Sequence, residues 1–251
     1  MSGAPVDEVR ESAVLGGRVR LLQPAEGYRA GLDAALLAAA CDAAPGERVI
    51  EAGCGVGGAL LAAAVRRPGV RWLGVERDDD DDALAARNVD LNALGGAVEI
   101  VGADVAAGFR ALGRDRFDLA MANPPFFDDP AALRAPHPAK RAAWIADDGL
   151  TAWTDFLLAA TRDGGRVLII HRADRLPDLL TALAAKAGSV QVRPIHPFAD
   201  QPAKRVLVRA VRGGRAPFRL LPQLVLHDRS GAKHTAEAEA VLRGETGIGW
   251  E

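Results

Sequence analysis

The sequence is poor in aromatic residues, in sulfur and in long apolar runs. Only 5 % of its 251 residues are aromatic, tyrosine occurs once, and there are two cysteines and two methionines. The core must therefore be built mostly from Ala, Val and Leu. Cys41 and Cys54 form no metal-binding or redox pattern, so no metal site is expected and a reducing, cytoplasmic setting is the simplest account. No apolar stretch reaches the ~18 residues of a membrane span. The opening residues, MSGAPVDEVRE, lack the basic-then-apolar order of a signal peptide. Repeats and linker-like segments are also missing. One domain is expected over 1–251: a hairpin and helix in 1–44, a core in 45–212 and an extension in 213–251.

Charge is unevenly spread. The net charge is −2, yet residues 1–159 carry a net −8 and residues 160–251 a net +6. Within 186–219 stand eight cations (Lys186, Arg193, Lys204, Arg205, Arg209, Arg212, Arg215 and Arg219) against one acid, Asp200. Such a segment is either the footprint of a polyanion or an edge strand guarded by positive charge.

The most informative stretch is Asp118 to Phe127, DLAMANPPFF. An apolar run fit for a buried strand stops at Asn123-Pro124-Pro125, because successive prolines remove backbone donors and fix φ. An amide, rigid carbonyls and the aromatics Phe126 and Phe127 then stand close together. An amino group on a flat ring needs such a set: acceptors in its plane and a π-surface above it.

A second stretch, Arg48 to Gly57, turns from β-type residues into glycines at 53, 55 and 57, preceded by Glu51, and a helix follows to about Arg67. Glycines there let a ligand approach the backbone closely. The spacing GxGxG differs from the dinucleotide pattern GxGxxG. Arg71 to Glu76 reads as the next strand, with an acid at its end suited to ribose hydroxyls. The acids Asp78 to Asp82 read as a solvated start to a helix running to about Leu94. Strands over 98–101 and 117–122 follow, so Glu76, Asp104 and Asn123 stand at successive strand ends. Alternating strands and helices predict an α/β fold with a parallel sheet, which binds ligands at the carboxyl ends of its strands.

Elsewhere, residues 1–22 predict a hairpin turning at Gly16-Gly17, and Asp33 could cap a helix over 34–44. Residues 128–148 are irregular, broken by prolines, and include Lys140 and Arg141; a loop of that length beside a site is usually functional. Helices are expected over 149–162 and 175–187, strands over 166–170, 190–195, 206–211 and 224–226, and a short helix over 234–243. His171 follows the fifth strand; such a residue is more often a satisfied histidine than a catalyst.

The order of the glycine turn, Glu76, Asp104 and NPPFF resembles the class I S-adenosylmethionine-dependent methyltransferases, and NPP plus an aromatic is similar to the motif of those that act on amino groups. Gln23-Pro24, Gly27 to Leu37 and His171-Arg172 look most like the bacterial valine-tRNA adenine-N6 methyltransferase family. The resemblance implies a Rossmann-like, mostly parallel seven-stranded sheet with helices on both faces and β additions at both ends. It implies S-adenosylmethionine as cofactor, with S-adenosylhomocysteine as product, held by Glu51, Gly53, Cys54, Gly55, Gly57, Glu76, Arg77, Asp104, Val105 and Asn123. Asn123, Pro124, Pro125 and Phe126 would act on the target base. Tyr28, Arg29, Asp33, Phe127, Lys140, Arg141, Lys204 and Arg205 would contact the substrate, a nucleic acid and specifically tRNA. Other expectations stay open: another RNA or DNA adenine, a protein glutamine amide, a small molecule covered by 128–148, or a cofactor-binding module that contacts RNA without turnover.

Overall fold

The computed structural model describes residues 9–25, 31–125 and 149–251. Its centre is a nine-stranded sheet in the order β10-β8-β9-β7-β6-β3-β4-β5, with β11 also paired to β8. The strands are β3 (Arg48–Ala52), β4 (Arg71–Glu76), β5 (Val98–Gly102), β6 (Phe117–Ala122), β7 (Thr161–Arg172), β8 (Ala187–His196), β9 (Arg205–Arg212), β10 (Arg219–Leu220) and β11 (Leu224–Val225). Strands β3 to β7 run parallel, and β9 lies antiparallel between β7 and β8. This is the expected seven-stranded sheet, extended at one edge by two short strands. The predicted N-terminal hairpin is also present: β1 (Val9–Val14) pairs antiparallel with β2 (Val19–Pro24) around a tight turn at Leu15–Gly17.

Sheet strands covered on both faces read as continuous apolar runs. In β3 every residue but Arg48 is buried, in β6 every residue but Asp118, and the sheet separates two apolar clusters. One face is covered by α1 (Leu32–Ala40), α2 (Gly58–Arg66) and α3 (Asp79–Leu91). The other is covered by α4 (Gly149–Ala160) and α5 (Leu176–Ala184), with Phe109, Phe117 and Phe156 packed edge to face between them and the sheet. The scarce aromatics are thus concentrated where small aliphatic residues would leave the space underfilled.

Two connections were not legible locally. Asn88 on α3 and Asn92 at its C-terminal cap use their side-chain amides as if they were backbone. Asn88 accepts from the Leu22 N–H at 2.7 Å and donates to the Leu22 and Val56 carbonyls. Asn92 accepts from the Arg20 N–H and donates to its carbonyl. The hairpin is thereby joined to the helix behind the glycine turn. At the other end, α6 (Ala236–Arg243) is capped by Thr235, and the following segment runs under α1. There Ile248 N–H and Trp250 Nε1 donate to the Ala39 and Ala40 carbonyls, both at 2.9 Å. Arg18 donates to the Arg243 and Gly244 carbonyls, which closes the hairpin against α6.

Helix starts differ in detail from the sequence reading. Asp33 does not cap α1; Gly31 holds that position, and Asp33 instead pairs with Arg205 at 2.9 Å. Asp78 does cap α3, accepting from the Asp80 and Asp81 N–H groups, and four further acids fill the first turn at the positive end of the helix dipole. Strand β7 begins at Thr161 rather than Arg166, with an irregularity in its pairing to β6 between Phe117 and Leu119. Among the described residues no helix is long and apolar enough to cross a membrane.

Candidate active site

Successive strands extend in one direction from β3 through β4 to β5, and in the other from β6 through β7. The order reverses between β3 and β6, and at such a switch point the strand ends diverge and leave a crevice. Gly53 follows β3 there and Asn123 follows β6. The last residues of those strands, Ala52 and Ala122, are direct partners.

The wall on the β3 side is the glycine turn. Gly53, Gly55 and Gly57 have φ of 63°, 53° and 88°, conformations that side-chain-bearing residues avoid. A Cβ on Gly55 would meet nothing within 4 Å among the described residues, so its backbone is approachable from that side as far as they extend. Glu76 is fixed beside it. Its Oε2 accepts from the Gly55 N–H at 2.8 Å, and its Oε1 accepts from the N–H groups of Arg77 and Asp78 at 2.8 and 3.0 Å. Three amides therefore set the direction of this carboxylate before any ligand arrives.

Glu51 lies below the turn, 2 % exposed. Burial pushes its carboxyl well above the usual carboxylate range, with the Glu76 charge adding to the effect. Among the described residues its Oε2 has no hydrogen-bond partner. Cys54 points the other way. Its N–H donates to the Val75 carbonyl, and its Sγ packs into the core against Gly74. Burial pushes its thiol well up, so it is no nucleophile. Asp104 starts a short turn by accepting from the Ala106 N–H, and its Oδ2 stands 3.6 Å from Arg77. Val105 beside it is buried.

The wall opposite Gly53 is a residue that sequence reasoning missed. Trp153, on α4, lies so close that a Cβ on Gly53 would stand 2.2 Å from Cη2 and 2.8 Å from Cζ3 of the indole. The indole thus lies flush against the first glycine of the turn. An aromatic at a helical position reads as core in a sequence, and only the packing of α4 on β3 and β6 brings it to the crevice.

On the β6 side, Pro124 is buried and the Asn123 side-chain oxygen is buried as well. His171, at the end of the neighbouring β7, is 3 % exposed. Burial, reinforced by Arg175, Arg172 and Arg205, lowers its pKa to about 4. The ring is therefore neutral at physiological pH. Because the unfolded chain takes up this proton near 6.5 and the folded chain near 4, the stability from His171 is complete above pH 6.5 and falls as pH drops toward 4. Between pH 7.5 and 5 the loss amounts to about 2 kcal/mol. Urea unfolding at those two pH values should show His171→Gln losing about that much less than the wild-type chain; an equal loss would refute the assignment.

Of the other predicted residues, Tyr28, Arg29, Phe126, Phe127, Lys140 and Arg141 lie outside the described residues. Arg205 is tied to Asp33, whereas Lys204 is exposed. Much of the basic segment proves to be structural. Arg209 pairs with Asp42 at 3.0 Å, Arg212 with Asp163 at 2.9 Å and Lys186 with Asp155 at 3.6 Å, while Arg193 donates to the Pro222 and Gly249 carbonyls. Lys204, Arg215 and Arg219 form no ion pair among the described residues. Those residues also contain no cluster of side chains able to hold a metal.

Comparison with known proteins agrees with this geometry. Residues 29–136 match the methyltransferase small domain family. The chain is 28 % identical to the tRNA1(Val) (adenine(37)-N6)-methyltransferase of Porphyromonas gingivalis, over 81 % of this chain and 83 % of that protein. It is 26 % identical to the release factor glutamine methyltransferase of Chlorobaculum tepidum, over 62 % and 56 % respectively. It spans about half the length of this and other curated relatives it matches. The crystal structure of a predicted O-methyltransferase, protein Atu636 from Agrobacterium tumefaciens, superposes with a TM-score of 0.70 at 23 % identity, over 86 % of this chain and 98 % of that one. The matched domain spans less than half of the chain, and with the sheet order it gives the chain the fold of the class I S-adenosylmethionine-dependent methyltransferases and a likeness to the methyltransferase small domain family.

Proposed function

We propose that this protein transfers a methyl group from S-adenosylmethionine to an exocyclic amino nitrogen, N6 of an adenine in RNA and most specifically in a tRNA anticodon loop. The carrying observation is the placement of Asn123-Pro124 at the switch point, directly across from the glycine turn. The residues present fit the cofactor. Glu76 offers a carboxylate already oriented by three amides, and among the described residues Gly55 has nothing against its Cα and Glu51 has a buried oxygen without a partner. Glu76 would hold the ribose hydroxyls, Asp104 and Val105 the adenine, and Glu51 with the glycine turn the amino-acid part. Trp153 would close that side of the cradle.

When bound, the cofactor supplies an electrophilic methyl on a cationic sulfonium. The chain supplies position and fixed dipoles, which together can lower a barrier by many kcal/mol. The Asn123 side-chain oxygen and the Pro124 carbonyl would accept the two N–H groups of the amine. That holds the nitrogen lone pair away from the ring and toward the cradle, and it favours positive charge developing on nitrogen. The nitrogen sheds a proton to solvent after gaining the methyl, so no strong base is needed. His171, with its pKa near 4, would be a poor one at neutral pH. Phe126 would stack on the base.

Adenine in RNA is favoured over a glutamine amide because the relative acting on tRNA adenine aligns over most of its own length, whereas those acting on glutamine align over about half. The test is incubation of the purified protein and labelled S-adenosylmethionine with unmodified tRNA or, separately, with a peptide-chain release factor, followed by nucleoside and peptide mass spectrometry. N6-methyladenosine in one tRNA is the expected product. Label in a release-factor glutamine, or in neither substrate, would overturn the reading.

A further inference from the structure

Among the described residues, two large apolar side chains are more than half exposed: Phe218 at 53 % and Leu220 at 65 %. Leu220 ends the short strand β10 at the edge of the sheet, and Phe218 immediately precedes that strand. Single exposed apolar residues need no explanation, but these two stand two residues apart at one sheet edge, and their surroundings are unusual. From residue 201 to residue 227 the sequence holds no carboxylate. Arg215 and Arg219 flank Phe218, both exposed and without an ion pair among the described residues. Their neighbours Arg205, Arg209 and Arg212 are each neutralised by an aspartate. Two of the cations left without an ion pair among the described residues thus lie within three residues of one exposed ring in the sequence.

The edge is also level with the active site. Ala122 of β6 pairs with Ile169, Ile169 with Val208, Val208 with Val192 and Val192 with Leu220. This row of partners leads from the residue before Asn123 straight to β10. Four strand spacings of ~4.8 Å make the separation roughly 19 Å. The inner side of the edge is anchored: the Ala216 N–H donates to Ser189 Oγ, the Leu221 N–H donates to the Val192 carbonyl, and the Leu221 side chain is buried. Phe218 is thus presented outward from a fixed backbone.

We propose that β10 is a second RNA contact, where an unpaired base stacks on Phe218 while Arg215 and Arg219 hold the flanking phosphates. An aromatic ring between cations is what single-stranded nucleic acid requires. A second copy of this chain fits less well, because edge-to-edge pairing through β10 would bring Arg215 and Arg219 of the two copies together. The inference rests on RNA being the substrate and adds a site that the transfer chemistry does not use.

The test measures binding of a short fluorescein-labelled RNA stem-loop, with adenines in its loop, by anisotropy in the presence of S-adenosylhomocysteine. Phe218→Ala should weaken RNA binding about tenfold or more. The double variant Arg215→Ala/Arg219→Ala should reduce the slope of log affinity against log salt by about 1.4. Calorimetric affinity for S-adenosylhomocysteine should be unchanged in both, which also confirms folding. If the wild-type chain binds the cofactor product but no RNA, the RNA reading fails and this site with it. If wild type binds RNA and the variants bind equally well, the β10 inference alone is overturned. It is likewise overturned if sedimentation shows a wild-type dimer that Phe218→Ala dissociates without changing RNA affinity.

Discussion

Asn123→Ala should lower the rate of methyl transfer by on the order of 10²–10³-fold, the usual cost of removing one fixed polar partner from a reacting group. Affinity for S-adenosylhomocysteine should stay within about threefold, because Glu76 is set by the amides of Gly55, Arg77 and Asp78 and needs nothing from Asn123. Single-turnover transfer and calorimetric titration separate the two effects. Asn123→Asp keeps an acceptor of the same shape and should retain more activity than alanine. If Asn123→Ala instead transferred methyl at the wild-type rate, the amine would have to be held elsewhere, and the role given to the end of β6 would fall.

The second large effect is expected at Gly53. Alanine there faces two separate obstacles. The φ of 63° costs an L-residue roughly 1–2 kcal/mol, and the new Cβ would stand 2.2 Å from Cη2 of Trp153, an overlap that must push the indole or the turn aside. Overpacking of this kind costs about 1–3 kcal/mol. Gly53→Ala should therefore lose roughly 2–5 kcal/mol in urea unfolding, and its displaced turn should bind cofactor poorly. The two parts can be separated. In a Trp153→Ala background the collision is gone and the backbone strain remains, so the same substitution should cost only about 1–2 kcal/mol. An equal cost in both backgrounds would mean that the indole does not bear on Gly53.

The polar strand ends were legible because local chemistry dictates them. A run such as RVIEA, bounded by a glycine turn, reads as a short buried strand, and glycines at alternate positions after it mark a turn whose backbone is open to close approach. Proline pairs stop β6 at Ala122 whatever surrounds it. Arg209 shows where such reading ends. As sequence it is one of eight cations in a basic segment, but in the fold it pairs with Asp42, 167 residues earlier, and lies over the Trp250 ring. The charge asymmetry between the two halves of the chain is therefore largely an internal pairing of acids from the first half with arginines from the second. Asp33 and Arg205 repeat the pattern. Trp153 escaped for a related reason: its helix is plain in the sequence, but the side of the crevice that it closes is set by how α4 packs. Asn88 and Asn92 escaped because an asparagine that substitutes for a strand edge has no local signature.

The bonds that join Arg18 to the residues ending α6, and α1 to Ile248 and Trp250, bear on how the chain is made. These partners are more than 200 residues apart. During synthesis at roughly 5–20 residues per second, the hairpin leaves the ribosome on the order of 10–50 s before the segment that closes over it. Through that interval the Asn88 and Asn92 amides bond the edge of β2 once they emerge, while the side of α1 that Ile248 and Trp250 cover stays bare. A segment translated some 200 residues later thus completes the packing of α1, and the nascent protein remains open there until translation reaches Trp250.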